Sequence, residues 1–404
     1  MKPVLPGAVP AASLGQHSFA VDAAPESGPM RIALVAFHFA EYACHLALAL
    51  ARDHPVLLLL DAENAAADLV PALRQQVSAA VEVHFITKRK LWNPLIVLTA
   101  ARVVRLVERF RPDVLHVQES LHDYGVWPVL WLARHTPLVL TVHDAVEHSG
   151  ADADWLSRRW RLRFYVDRLR ERADRVIVHG ERVRAQLLAC REWRPERVFS
   201  VMLGALGAPT GLTVSEPSGA TLLFFGRIES YKGLGVLLDA LDLLRDEPAV
   251  RLVIAGRGTE LQRFRGRIAV DPRIELIDRF IAAEEIPRLF LRSTIVVLPY
   301  LEASQSGVAA IAFNYRRPVI ASAVGGLPDV ILPGESGILV PPSDPAALAA
   351  AIRQVCADPA LLRRLSAGAA ALASGELSWR SIAQRTAAVY RATRAIRRGR
   401  TSPL

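Results

Sequence analysis

The residues best suited to chemistry stand in a short glycine-flanked run, Gly226-Arg227-Ile228-Glu229-Ser230-Tyr231-Lys232-Gly233, between an apolar stretch and a helical pattern. Backbone amides at a helix start attract anions. Arg227 and Lys232 are five positions apart across the loop, so both can reach a diphosphate. That sets two positive charges where a departing nucleoside diphosphate gains negative charge. Lysine is scarce elsewhere: of 49 basic residues only Lys2, Lys88, Lys90 and Lys232 are lysines. The plainer alternative is a solvated turn with two ordinary basic residues.

A second run reads Leu298-Pro299-Tyr300-Leu301-Glu302-Ala303-Ser304-Gln305-Ser306-Gly307-Val308. Its small residues follow a strand pattern and precede a helix, so backbone amides can approach a ligand. Glu302 is placed to accept hydrogen bonds from sugar hydroxyls, or else is a surface carboxylate. A third signal, Thr141-Val142-His143-Asp144, closes a buried strand in the first half of the chain. His143 could donate a hydrogen bond to a sugar hydroxyl or a forming anion, although a histidine at a strand end is often structural.

These groups need elements to carry them. Short β-branched runs alternate with helical patterns: strands at Arg31 to Val35, Val56 to Leu60, Val81 to Ile86, Val114 to Val117, Leu138 to Val142 and Arg175 to Val178, helices at Glu41 to Arg52 and Pro94 to Phe110. The alternation predicts a parallel sheet covered on both faces. Gly204 to Ala220 reads as a linker, rich in Gly, Pro, Ser and Thr. Strand patterns then resume at Thr221 to Phe225, Arg251 to Ala255, Arg273 to Ile277, Thr294 to Leu298 and Pro318 to Ala321. The expected division is a disordered leader over 1–29, a first Rossmann-like domain over 30–205, a second over 206–377 and a final helix over 378–404. Two doubly wound α/β domains of Rossmann type in series would face each other across a central cleft, because ligands bind outside the carboxyl ends of such strands. Trp379, Ile382, Ala383, Thr386, Val389 and Tyr390 form an apolar stripe on the final helix. It either caps the second domain or reaches back to the first.

Composition narrows the classes. The chain has 404 residues and is about half apolar, enough for two ordinary cores. No apolar run reaches the roughly 18 residues of a membrane span. Pro6 and Pro10 interrupt the apolar part of the leader, which argues against a secretory signal. Cys44, Cys190 and Cys356 are too scattered for a zinc site or disulfide framework and fit a reducing cytosol. The net charge of +9 suits a solvated surface, anionic substrates or an anionic membrane face, and no nucleic-acid module is evident. The stretch Arg158 to Arg172 has seven arginines against Asp167 and Glu171, interleaved with Trp160, Phe164 and Tyr165. It reads equally as a membrane-docking helix or as a solvated face over a core stripe.

Taken together, Gly226-Arg227…Lys232-Gly233, the Leu252-to-Gly258 run "LVIAGRG", Pro299…Glu302, "PVIASAVGGLPDVI" from Pro318, "GILVPPSDPAALAAAI" from Gly337 and "LSWRSIAQRTAAVYR" from Leu377 resemble glycosyltransferase family 4. The resemblance is dense over 221–391 and looser over 30–210, where "RPDVLHVQES" and "TVHD" carry it. It implies the GT-B fold and a metal-independent, retaining sugar transfer with no cofactor beyond a nucleoside-diphosphate sugar. The Ser-Gly form of the second run is similar to members linked to bacterial surface polysaccharides, which implies a saccharide or lipid-linked acceptor. By position, Arg227 and Lys232 match the diphosphate-binding pair, Glu302 the first acid of an E-x7-E signature, and His143 the cleft histidine. Gly226, Ser306 and Gly307 match loop positions near phosphate or donor sugar, and Phe280 and Ile281 the backbone that clamps the base.

Two departures stand out. The second acid of E-x7-E, which holds the ribose in the family, is absent: Ala310 or Ile311 occupies its place. The Gly-Gly turn after the first strand is replaced by Phe37-His38-Phe39-Ala40-Glu41, which makes His38 a further cleft candidate and would narrow the pocket. Rival motifs are weaker. Asp152-Ala153-Asp154 has the spacing of a metal-binding D-x-D, but at a helix start it suits capping better. Gly256-Arg257-Gly258 suggests a dinucleotide fingerprint, yet Leu261 stands at its third glycine position. Two other functions remain open: a non-catalytic nucleotide-sugar-binding scaffold, prompted by the lost acid, and an epimerase on the same fold, which needs acid–base carboxylates not located here.

Overall fold

The computed structural model describes residues 28–87, 93, 95–119, 126–144, 160–190, 193–207 and 219–401, with the backbone alone for 126, 160–165 and 397–401. Most of the leader, the linker core 208–218 and the Asp152-Ala153-Asp154 motif lie outside these residues. No helix among the described residues is long and apolar enough to cross a membrane.

The first sheet has seven strands: β1 (Ile32–Ala36), β2 (Val56–Asp61), β3 (Glu82–Ile86), β4 (Val114–Gln118), β5 (Leu138–Thr141), β6 (Arg175–Val178) and β7 (Val198–Ser200), in the order β3-β2-β1-β4-β5-β6-β7. The second has six: β8 (Thr221–Phe225), β9 (Arg251–Ala255), β10 (Ile274–Ile277), β11 (Ile295–Leu298), β12 (Val319–Ser322) and β13 (Gly337–Val340), in the order β10-β9-β8-β11-β12-β13. All strand pairs are parallel. Parallel central strands are covered on both faces, which is why Ile32 to Ala36 and Val56 to Asp61 are buried without alternation. In each sheet the order reverses beside the first strand, between β1 and β4 and between β8 and β11. Ligands of doubly wound sheets bind at that point.

Helix starts follow local chemistry. The Asp61 carboxylate accepts the Asn64 amide at 2.8 Å and opens helix Ala62–Asp68. Asp358 accepts the amides of Ala360 and Leu361 and, with Pro359 next, opens Pro359–Ser374. The sequence reading missed β7 and β13, of three and four residues, which stand at the ends of the two sheets. It also placed the start of helix Ile96–Phe110 two residues early, at Pro94.

The final helix, Trp379–Thr401, leaves the second sheet and packs on the first. Ile382, Ala383, Ala387, Val389 and Tyr390 join the core formed by β1, β2 and helix Ala40–Leu50. The return crossing lies against the outward one. Ala205 donates its amide to Leu377 O at 2.9 Å, and the Trp379 indole donates to Ala205 O at 2.7 Å. A Cβ on Gly204 would sit 2.8 Å from the Trp379 ring, so the two crossings approach only because residue 204 has no side chain.

Candidate active site

The loops after β8 and β11 are stitched together at the switch point. Leu301 donates its amide to Tyr231 O at 2.7 Å. Gly233 has φ +70, and a Cβ there would lie 1.9 Å from Pro299 O, so glycine is required on both counts. Lys232 ends a short 3-10 turn, Ser230–Lys232, and is only 7% exposed. Its ammonium lies 5.4 Å from the Tyr300 ring centroid and 3.0 Å from where a Cβ on Gly226 would stand. Burial, and after it the field of Arg227, lower its pKa, while Tyr231 and Glu229 pull the other way. It makes no ion pair among the described residues. An anion arriving here would find a desolvated positive charge.

The remaining predicted residues gather around this loop pair. Arg227 and Glu302 are exposed at the mouths of the two loops. Ser306 caps helix Gly307–Asn314, accepting the Ala309 amide at 3.3 Å, and its hydroxyl also bonds Tyr300. Beyond β10, Phe280 is exposed with the Arg257 guanidinium 5.9 Å from its ring, and Ile281 is buried. The neighbouring turn is braced by a bidentate Arg279–Glu285 pair, which holds the Glu285 carboxyl down at about 2. Ala310 and Ile311 are buried within the second core, so neither position presents a polar group.

The opposite wall comes from the first domain. His143 is 4% exposed and stacks on Phe39 at 3.7 Å, with Tyr42 edge-on at 5.8 Å. Phe39 has φ +62, a left-handed conformation uncommon for a bulky residue, and this turns its ring onto the histidine. The aromatic turn in place of Gly-Gly therefore forms part of the wall, and His38 is half-buried behind it. The Nε2 of His143 lies 2.8 Å from Gln118 Oε1, and the Gln305 amide nitrogen approaches its Nδ1 at 3.3 Å from the other domain. With the Gln118 carbonyl facing it, Nε2 carries the proton and Nδ1 accepts. The atom turned toward the second domain is thus a lone pair, where the sequence reading expected a donor. Both ring nitrogens are engaged in this arrangement.

His143 heads a buried polar chain that sequence reasoning missed. Gln118 contacts His116 at 3.3 Å, and His116 bonds Thr141 at 2.7 Å and the Tyr390 hydroxyl of the final helix at 2.5 Å. His179 lies 5.0 Å from His143, ring to ring, and bonds Val201 O at 2.9 Å. Burial keeps all three histidines neutral: His116 is lowered to about 3, His179 to about 4, and His143 well below its ordinary value, with neighbouring histidines adding to the effect on His143 and His116. A histidine inside β4 and one just past each of β5 and β6 were the available signal.

Two further contacts close the walls. Asp329 accepts the Arg182 amide at 2.7 Å and pairs with its guanidinium at 3.3 Å. Glu119 and Arg170 form a buried bidentate pair, and Arg170 also donates to Asp144 O at 3.3 Å, holding the strand end that presents His143. Arg172 donates to Ala133 O. Of the three arginines of the basic stretch whose side chains are described, Arg168, Arg170 and Arg172, two therefore face inward, and the side chains of Trp160, Phe164 and Tyr165 lie outside the described residues.

The sequence and the fold are both similar to those of known proteins. Residues 219–358 match the family described as "Glycosyl transferases group 1", and residues 39–204 match "Glycosyl transferase 4-like domain". A glycogen synthase of Mycobacterium tuberculosis is 30% identical over 305 residues, covering 73% of this chain and 71% of that protein. A D-inositol 3-phosphate glycosyltransferase of Nocardioides sp. is 34% identical over 349 residues, covering 77% and 74%. Among solved structures, Anabaena HepE in complex with UDP and glucose superposes with a TM-score of 0.65 at 19% identity, covering 89% of this chain and 98% of that one. Sucrose-phosphate synthase from Thermosynechococcus elongatus does so with 0.65 at 22%, covering 91% and 100%. Two parallel α/β sheets, a helix that returns across the cleft and both family matches lead to one assignment: the chain belongs to the group 1 glycosyl transferases and has the GT-B fold.

Proposed function

We propose that the protein moves a sugar from a nucleoside-diphosphate sugar to a saccharide acceptor with retention of configuration and without a metal ion. The observation that carries this reading is Lys232, a nearly buried ammonium in a glycine-lined loop with Arg227 beside it. As the glycosyl bond breaks, the electron pair leaves with the diphosphate, and Lys232, Arg227 and the amides around Ser306 and Gly307 stabilise that charge. Glu302 holds a sugar hydroxyl. His143, neutral, fixes another through Nδ1 once the Gln305 amide gives way. Among the described residues no carboxylate is placed as a covalent nucleophile, so in this reading the acceptor attacks from the face the leaving group departs. UDP is the nucleotide to test first, since HepE has been solved with it.

The acceptor in this reading is a lipid-linked saccharide of surface-polysaccharide synthesis, met by a cytoplasmic protein resting on the inner membrane face. The net charge of +9 and the basic first domain support it. Purified protein with a panel of nucleotide sugars tests the core claim: slow hydrolysis, or transfer to an added acceptor, is the expected result. Tight binding with no turnover of any donor would favour the second reading, a nucleotide-sugar-binding scaffold, for which Ala310 and Ile311 in place of the ribose-holding acid are the motive.

A further inference from the structure

Eleven large apolar side chains are exposed among the described residues, and five of them, Leu95, Val97, Leu98, Trp127 and Trp131, lie on two neighbouring helices or at the cap of one. These helices, Ile96–Phe110 and Val126–Leu132, pack side by side, and the Trp131 indole donates to Glu108 at 3.4 Å. Val97 and Leu98 are 68% and 65% exposed, and Trp127 is 60% exposed. Helix Ile96–Phe110 already has its core face: Val103, Val107 and Phe110 turn into the first domain. Its outward face is therefore apolar in the first turn and basic in the last turns, at Arg105 and Arg109. A merely solvated face would have no reason to expose tryptophans, whose apolar body and polar indole suit an interface.

The charge says what covers this face. Arg105 and Arg109 line, with Arg31, Arg111, Glu108 and Phe110, an open hollow of about 740 Å³. Arg134 lies 4.9 Å over the Trp131 ring. An apolar stripe bordered by arginines matches the headgroup layer of an anionic bilayer, where lipid phosphates meet the guanidinium groups and acyl chains meet the tryptophans. Both helices begin where the chain leaves the carboxyl ends of β3 and β4, the edge of the sheet that bears His143. A bilayer on this face holds the cleft mouth near its surface.

We propose that the start of helix Ile96–Phe110, together with Trp127 and Trp131, docks on an anionic phospholipid bilayer with Arg105 and Arg109 against lipid phosphates. This rests on the reading of a membrane-resident acceptor and moves the contact from the Arg158–Arg172 stretch to its neighbours.

The test is co-sedimentation of the full chain with phosphatidylcholine vesicles, with and without phosphatidylglycerol, at low and high salt. The wild type should sediment with the anionic vesicles at low salt and be released by high salt, because the attraction is screened over about 8 Å at physiological ionic strength. Trp127→Ser with Trp131→Ser, and separately Arg105→Glu with Arg109→Glu, should each weaken binding about tenfold or more. Val97→Asn with Leu98→Asn serves if the tryptophan variant does not fold. Nucleotide-sugar hydrolysis should persist in all three, so a failure of docking and a failure of the catalytic reading are told apart. Wild-type protein that stays in the supernatant throughout, variants that bind like wild type, or a stable dimer lost in the tryptophan variant would overturn the proposal.

Discussion

The two walls of the cleft solve different problems. The second-domain wall is cationic and built from backbone: Lys232 sits among loops so close that Gly233 and Gly256 leave no room for a Cβ, which would fall 1.9 Å from a carbonyl oxygen in each case. The first-domain wall is neutral and built from side chains: His143, His116 and His179 are all held uncharged by burial. A phosphate needs charge and amides that can approach it, while sugar hydroxyls need directional lone pairs and protons. On the proposed function, charge is concentrated where the leaving group would depart, and the partner wall avoids adding a competing cation.

The sharpest way to break this contrast is to discharge the second wall. Lys232→Ala and Arg227→Ala should each lower transfer about a hundredfold, or about 3 kcal/mol of transition-state stabilisation. Steady-state kinetics with circular dichroism as a folding control checks this, and near-normal turnover in a folded Lys232→Ala protein would remove the diphosphate assignment.

The neutrality of the first wall predicts a pH effect on stability. Each of the three histidines has a folded pKa below the ordinary 6.5, so the unfolded chain takes up these protons first as pH falls. Stability from this source is complete above 6.5 and declines as pH drops toward about 4 for His179 and about 3 for His116. At pH 5 the loss is about 2 kcal/mol for each fully neutral histidine. Thermal unfolding at pH 7 and pH 5 measures it. A His179→Asn protein should show a smaller drop, and an unchanged drop would mean the histidines are not its source.

The hydrogen bond from Gln305 that joins the walls at His143 should matter less. Gln305→Ala removes a neutral contact of about 1 kcal/mol, so transfer should change by no more than about fivefold in either direction. A loss as large as that of Lys232→Ala would mean that Gln305 itself handles the substrate. The smallest expected effect is that of chelation: activity in EDTA should equal activity without it, since two basic side chains already supply the charge. Abolition by EDTA with rescue by Mg²⁺ or Mn²⁺ would bring Asp152 and Asp154 back into consideration.

Sequence alone was a good guide where the signal was local. The run from Gly226 to Gly233 and the run from Leu298 to Val308 are each a strand end, a tight loop and a helix start, so their residues meet at the switch point by connectivity. Eleven of the thirteen strands were legible for the same reason, and the two missed each end a sheet. The missing second acid of the E-x7-E pattern was also visible, because it is an identity at a fixed spacing.

What the tertiary structure decided were the long-range pairings. His116 meets Tyr390 across 274 positions and His143 meets Gln305 across 162, and no periodicity encodes such a match. The stripe on the final helix announced an apolar face without saying which sheet would cover it; packing on β1, β2 and helix Ala40–Leu50 settled that. Phe37-His38-Phe39 read only as a bulky turn until the φ of +62 at Phe39 laid its ring on His143. Nothing in the sequence marked Trp127 and Trp131 as outward-facing, and only the packed helices show that they are. The physical reason is the same each time: a sequence pattern specifies that a surface must be buried or a polar atom satisfied, while the choice of partner depends on which distant segments the completed sheets bring within reach.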